Sequence, residues 1–116
     1  AIVFEGEKSV LKMSSWYEDS TAVAMNGSNF SEYQLDLLKS IGVEKIYFAF
    51  DKDFHGNFEG RQYYKKIRSI IQKARGVIGD VYLIWDSHGL LGYKDSPVDQ
   101  GKEVFEKLKN EAVLIK

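Results

Sequence analysis

Two stretches of this chain run apolar without a break and then stop at an aspartate. They are Ile46-Tyr47-Phe48-Ala49-Phe50 before Asp51, and Val81-Tyr82-Leu83-Ile84-Trp85 before Asp86. A strand with one solvated face alternates apolar and polar residues, so unbroken apolarity suits strands covered on both faces, as in a parallel sheet. Parallel neighbours need long crossover connections, usually helices, so helical segments are expected between these strands.

The rest of the chain supplies them. Ile2-Val3-Phe4 reads as a first strand ending at Glu5-Gly6, followed by a helical stretch through Val10, Leu11 and Met13. Thr21 to Met25 reads as a second strand, closed by Asn26-Gly27. Ser31 with Gln34 is a capping-box signature; Leu35, Leu38 and Ile41 then give an apolar face, and Gly42 stands where a helix C-terminal glycine would. The clearest helix spans about Asn57 to Arg75, with Tyr63, Ile67, Ile70, Ile71 and Ala74 on one stripe. Ser96-Pro97 is expected to open a last helix whose inner face is Val104, Phe105 and Leu108, and Val113-Leu114-Ile115 is a candidate edge strand. The expectation is one α/β domain over 1–116, a parallel four-stranded sheet with helices on both faces. Because it starts at Ala1, without Met and directly in a strand-like run, the chain is expected to be a fragment of a longer protein.

Composition narrows the function. The formal net charge is −1, which argues against a domain that grips nucleic acid mainly through its own Lys and Arg. Cys is absent, so disulfides and thiolate zinc sites are excluded, and a reducing cytoplasm is the expected setting. No apolar run is long enough to span a bilayer, and no membrane partner is expected.

In open parallel sheets, function gathers at the carboxyl edge of the strands. Glu5 and Asp51 both stand directly after predicted strands, and Asp53 lies two residues beyond Asp51, on the same side of an extended segment. Three carboxylates at one edge repel unless protonated or bridged by a cation, and hard oxygen ligands favour Mg²⁺ or Mn²⁺ over Zn²⁺. Gly6 and Gly56 leave room beside them for a phosphate or a nucleic-acid backbone. An Asp-x-Asp in a loop is usually only a solvated turn; its joint placement with a strand-closing Glu shifts the balance toward function.

These residues also fall into a known pattern. Ile2-Val3-Phe4-Glu5-Gly6-Glu7-Lys8 resembles the first Toprim motif, and Ala49-Phe50-Asp51-Lys52-Asp53-Phe54-His55-Gly56 resembles the second, about 46 residues on. Ala22 to Ser28 followed by Ser31 to Leu35 is similar to the form found in bacterial and phage DNA primases, as is Tyr47-Phe48-Ala49-Phe50-Asp51. Lys94-Asp95-Ser96-Pro97-Val98-Asp99 resembles their Lys-Asp-Pro-Asp-Asp segment, but with Ser96 inserted before Pro97 and Val98 after it.

The resemblance implies a Rossmann-like Toprim domain cut from a primase. Glu5, Asp51 and Asp53 would be catalytic and metal-holding, Asp95 would lie near a second metal or the incoming nucleotide, and Gly6, Lys8 and Gly56 would meet substrate. The implied reaction is Mg²⁺-dependent primer synthesis from nucleoside triphosphates on a single-stranded DNA template. The full-length protein would work with a replicative helicase, and the isolated domain is expected to bind metal and little else.

Other readings stay open. They are a Toprim nuclease, a topoisomerase subdomain, or a non-catalytic repair module. His55, where type II topoisomerases usually carry a third aspartate, counts against that branch. Lys8 is a solvated lysine in its bland reading. Lys52 is expected to point away from the metal, and Asp99 to sit at a helix start. His55 and His88 read as loop histidines. Trp16, Tyr17 and Phe30 read as packing residues, and the basic outer side of the long helix (Arg61, Lys65, Lys66, Arg68, Lys73, Arg75) as a solvated face.

Overall fold

A computed structural model describes residues 1–17, 21–25 and 32–115. Its strands are β1 (Ile2–Phe4), β2 (Ala22–Ala24), β3 (Lys45–Ala49), β4 (Asp80–Leu83) and β5 (Val113–Leu114). The helices are α1 (Glu7–Trp16), α2 (Glu32–Ser40), α3 (Gly56–Arg75) and α4 (Lys102–Asn110). The strands form one five-stranded sheet in the order β2-β1-β3-β4-β5. The first four strands are parallel, with Phe4 paired to both Ala24 and Ala49, and Phe48 paired to Leu83. The expected four-stranded parallel sheet is therefore present, extended by β5, which runs antiparallel beside β4. β5 is the candidate edge strand expected at Val113-Leu114-Ile115, formed by Val113 and Leu114 with both side chains exposed.

The unbroken apolar runs are explained by two cores. Val3, Ile46, Phe48, Phe50, Val81 and Leu83 point to one face, where Leu35 and Leu38 of α2 and Tyr63, Ile67, Ile71 and Ala74 of α3 cover them. Ile2, Phe4, Ala49 and Ile84 point to the other, against Met13 of α1 and Phe105 and Leu108 of α4. Tyr47 and Tyr82, paired across β3 and β4, stack with centroids 4.7 Å apart.

The helix ends follow local chemistry. α2 closes in a Schellman turn: Val43 N–H donates to Leu38 C=O, Gly42 N–H donates to Lys39 C=O, and Gly42 takes φ +88°. Ile41, expected on the apolar face, lies past the helix end and is 63% exposed. Ser31 of the capping-box reading, with Asn26, Gly27, Ser28 and Phe30, lies outside the described residues; Gln34 donates to Ala24 C=O and ties α2 to the end of β2.

The last helix begins later than Ser96-Pro97 suggests. Ser96 N–H donates to Asp99 Oδ2 at 2.8 Å, and Asp99 N–H donates back to Ser96 C=O at 2.9 Å. Asp99 thus closes a turn instead of starting a helix, and α4 begins only after Gly101 at φ +101°. Ser96, Pro97 and Val98 of the turn are buried, and it is pinned to α1 by a 2.8 Å hydrogen bond from Ser9 Oγ to Ser96 Oγ.

Phe105 is 1% exposed and lies against Phe4, Trp16 and Tyr17 at centroid separations of 6.2–6.4 Å. Phe105→Ala removes that whole set of contacts and is expected to cost about 3–5 kcal/mol. Urea unfolding would show it as a lowered midpoint with an unchanged slope.

Candidate metal and phosphate site at the carboxyl edge

The sheet order places a topological switch point between β1 and β3. From β1 the chain winds outward to β2, then returns to β3 on the opposite side of β1. The connections leave β1 and β3 toward opposite faces, which opens a crevice at their carboxyl ends. Glu5 is one residue past the end of β1 and Asp51 two past the end of β3, so both carboxylates enter this crevice from neighbouring strands.

The pair is crowded. Burial, the charge of Glu5 and a side-chain hydrogen bond with Glu5 push Asp51 up to about 7, with smaller contributions from Asp99 and Asp53. The Tyr63 hydroxyl, on the inner stripe of α3, lies 3.2 Å from Glu5 Oε1, to which it donates, and 3.2 Å from the Asp51 carbonyl oxygen. Burial and the neighbouring Glu5 carboxylate drive the Tyr63 hydroxyl far above its ordinary range, so it remains a donor at any physiological pH. Sequence periodicity had assigned Tyr63 to core packing alone. Its ring does pack against Phe54 and Trp85, with the hydroxyl as the polar end.

Asp53 is turned to a different partner. Its Oδ1 lies 3.1 Å from Lys94 Nζ, and that ammonium, aided by Tyr93 and Lys66, holds its carboxyl below the ordinary range. Among the described residues, no three His, Asp or Glu side chains stand close enough together to enclose a metal ion. The structure therefore brings Glu5 and Asp51 together and holds Asp53 beside them, on Lys94.

Asp95 does not join the pair. Its Oδ2 accepts Gly92 N–H at 2.8 Å and the Gln100 amide at 2.7 Å, closing its own loop. The carboxylate whose charge reaches Asp51 from this segment is Asp99, because the inserted Ser96 and Val98 build the turn that carries it. Gly56 takes φ +67° at the first position of α3, a conformation that favours glycine, whereas Gly6 is extended at φ −128° and open to other residues. Lys8 is exposed on the first turn of α1. His55 precedes α3, donates its N–H to Glu59, and stacks on Tyr93 at 4.0 Å. His88 is exposed and pairs with Glu111 at 3.2 Å.

Lys52 points away from the pair, into an ion pair that the sequence did not reveal. Its Nζ lies 2.7 Å from Asp86 Oδ2, and the two side chains are 16% and 1% exposed. Asp86 also accepts Leu90 N–H at 2.8 Å and Leu91 N–H at 2.9 Å. Burial works against the charge of Asp86, but Lys52 and the two amides outweigh it and keep the carboxyl below its ordinary range. The signal was the shared form of two strands each closing on an aspartate.

Comparison with known proteins identifies the family and the fold. A family model described as Toprim-like matches residues 2–95. The SPbeta prophage-derived uncharacterized protein YorJ of Bacillus subtilis (strain 168) is 40% identical over 124 residues, which cover 98% of this chain and 32% of that protein. The crystal structure of the Aquifex aeolicus primase, zinc binding and RNA polymerase domains, superposes with a TM-score of 0.63 at 22% identity. That match covers 99% of this chain and 26% of the primase chain, and the likeness is one of fold. The chain thus spans about a third of the length of the relative it matches. Among the described residues no helix is long and apolar enough to cross a membrane.

Two outcomes follow. A carboxyl whose folded pKa is raised binds more protons folded than unfolded; that stability is full below the unfolded value and is lost as pH rises through the folded one. The metal-free protein should therefore lose stability between pH 4 and 7, and Asp51→Asn should flatten that slope, read by urea unfolding across the range. Lys52→Met leaves the Asp86 charge buried without its cation and is expected to cost about 3 kcal/mol. A loss within error of zero would mean that the two amides alone satisfy Asp86.

Proposed function

The chain belongs to the Toprim-like family, and from that premise we propose that it is the metal-binding catalytic subdomain of a DNA primase. The observation that carries this reading is the meeting of Glu5 and Asp51 at the switch point between β1 and β3. Two carboxylates in contact, one of them drawn to a proton by the other, fit a hard divalent cation in place of that proton. Glu5 and Asp51 would hold Mg²⁺ or Mn²⁺, and Asp53 would complete the set once freed from Lys94. When bound, such an ion neutralises triphosphate charge and orients the triphosphate for nucleotidyl transfer.

The protein's own part is positional. The Tyr63 hydroxyl keeps one lone pair of Glu5 engaged and fixes its orientation. α3 starts at Gly56, three residues after Asp53, so its first free N–H groups stand beside the site, where an anion is favoured. The buried Lys52–Asp86 pair fixes the backbone between the two aspartates. The fold likeness to a primase supports the reaction class, as does a 40%-identical relative of prophage origin. The net charge of −1 implies that the template strand is gripped elsewhere in a longer protein, which would also bring nucleoside triphosphates and a helicase to this edge.

Mg²⁺ titration followed by NMR tests the reading. Shifts should concentrate at Glu5, Gly6, Asp51 and Asp53, and Glu5→Gln or Asp51→Asn should each weaken affinity by at least about tenfold. Affinity should also rise from pH 6 to pH 8, as the proton on Asp51 stops competing. No localised shift at millimolar Mg²⁺ would reject the metal site, and with it the catalytic reading in favour of a binding module.

A further inference from the structure

The segment between Asp51 and Asp53 is clamped by a second piece of backbone. Lys52 N–H donates to Asp95 C=O at 2.8 Å, and Lys94 N–H donates to Lys52 C=O at 2.7 Å. At the centre of the clamp Lys94 takes φ +69°; among the described residues no other non-glycine residue has a positive φ. An L side chain enters that region at a cost and stays there only where its surroundings impose it. Here the two backbone bonds impose it, and the result is an ammonium set 3.1 Å from Asp53 Oδ1. The contact is open to solvent, with side-chain exposures of 63% for Lys94 and 32% for Asp53, so the ammonium is free to leave.

Removing the carboxylates from this picture, as a bound cation would, changes the sign of the surroundings. The cationic groups acting around Asp53 are Lys94 and, more weakly, Lys66 of α3. The N-terminus of α3 adds a partial positive charge on the same side. The carboxylates acting on Lys94 are Asp53 and, more weakly, Glu5, and both belong to the metal-holding set. An ammonium displaced from Asp53 therefore needs a new anion, and the position favours one held by the cation itself.

We propose that Lys94 is the resident counter-ion of Asp53, which yields the carboxylate to an incoming divalent cation and transfers its ammonium to an oxygen of the polyphosphate that the cation carries. The proposal rests on the metal-site reading above. It gives Lys94 two effects of opposite sign. The ammonium competes with the free cation for Asp53, and it attracts the cation's polyphosphate.

The test uses the 116-residue chain, with calorimetric titration of Mg²⁺ alone and then of inorganic tripolyphosphate at saturating Mg²⁺. Lys94→Gln should bind Mg²⁺ about two- to fivefold more tightly, the range set by an exposed ion pair, and tripolyphosphate about threefold or more weakly. Lys94→Arg, which keeps the charge, should stay near wild type in both titrations. Lys94→Gly removes the ammonium and the backbone strain together; it should match Lys94→Gln, which separates a charge effect from a distorted loop. Unchanged or weaker Mg²⁺ binding in Lys94→Gln overturns the proposal, because the ammonium then does not compete. Tighter Mg²⁺ binding with unchanged tripolyphosphate affinity overturns it too, because Lys94 then only neutralises Asp53. Wild-type chain that binds no Mg²⁺ overturns the metal-site reading itself, an outcome distinct from both.

Discussion

The parallel pairing of β1 with β3 is the constraint on which everything else in this molecule depends. It brings Val3 beside Phe48 and Phe4 beside Ala49 across more than forty residues of chain, and it buries both strands on both faces. With α1 on one face and α3 on the other, the connections that leave β1 and β3 diverge at the carboxyl end of this seam. Any side chain that follows β1 or β3 then has to stand in the gap. The sequence puts Glu5 and Asp51 there, where partial burial and the charge of Glu5 raise the pKa of Asp51 to about 7. Such contact opposes folding in isolation, and residues of this kind persist where the site serves a ligand.

Much of this was legible because it rests on short-range pattern. An unbroken apolar run reports burial on two faces, and the stripe Tyr63, Ile67, Ile71, Ala74 reports a helix lying on a sheet. The position of Glu5 and Asp51 at strand ends follows from those same patterns. Illegible were the interactions between loops. Lys52 with Asp86, Ser9 with Ser96, and Lys94 with Asp53 join residues 34, 87 and 41 positions apart, each a single polar contact without periodicity. Asp95 and Asp99 show the consequence. Both are acidic residues beside one proline, and only the hydrogen bonds of the folded turn decide which one closes a loop and which one reaches the field of Asp51.

The two lysines of this edge show how burial decides what a charge does. Lys52 and Lys94 each face an aspartate at about salt-bridge distance, 2.7 Å and 3.1 Å. Asp86 is almost fully enclosed and accepts two amides as well, so the Lys52 contact is expensive to break and acts as part of the framework. Asp53 is a third exposed and its lysine nearly two thirds, so water stands ready to replace either partner and the contact is worth little. One pair therefore holds geometry, and the other is exchangeable.

The framework pair acts on the exchangeable one through the backbone. Asp86 gathers Leu90 and Leu91 N–H, while Lys52 reaches Leu91 C=O at 3.2 Å, so the start of the loop after β4 is fixed to the residue between the two aspartates. The loop returns along Lys52, with Lys94 N–H and Asp95 C=O bonded to its backbone, and only then presents the Lys94 side chain. A residue that alternates with Asp51 and Asp53 thus turns its own charge inward to build the support for the cation that faces Asp53. The backbone that carries Asp51 and Asp53 is held by contacts of Lys52 and not by the two aspartate side chains. The Asp53 oxygens can therefore exchange partners without loosening the edge that carries them.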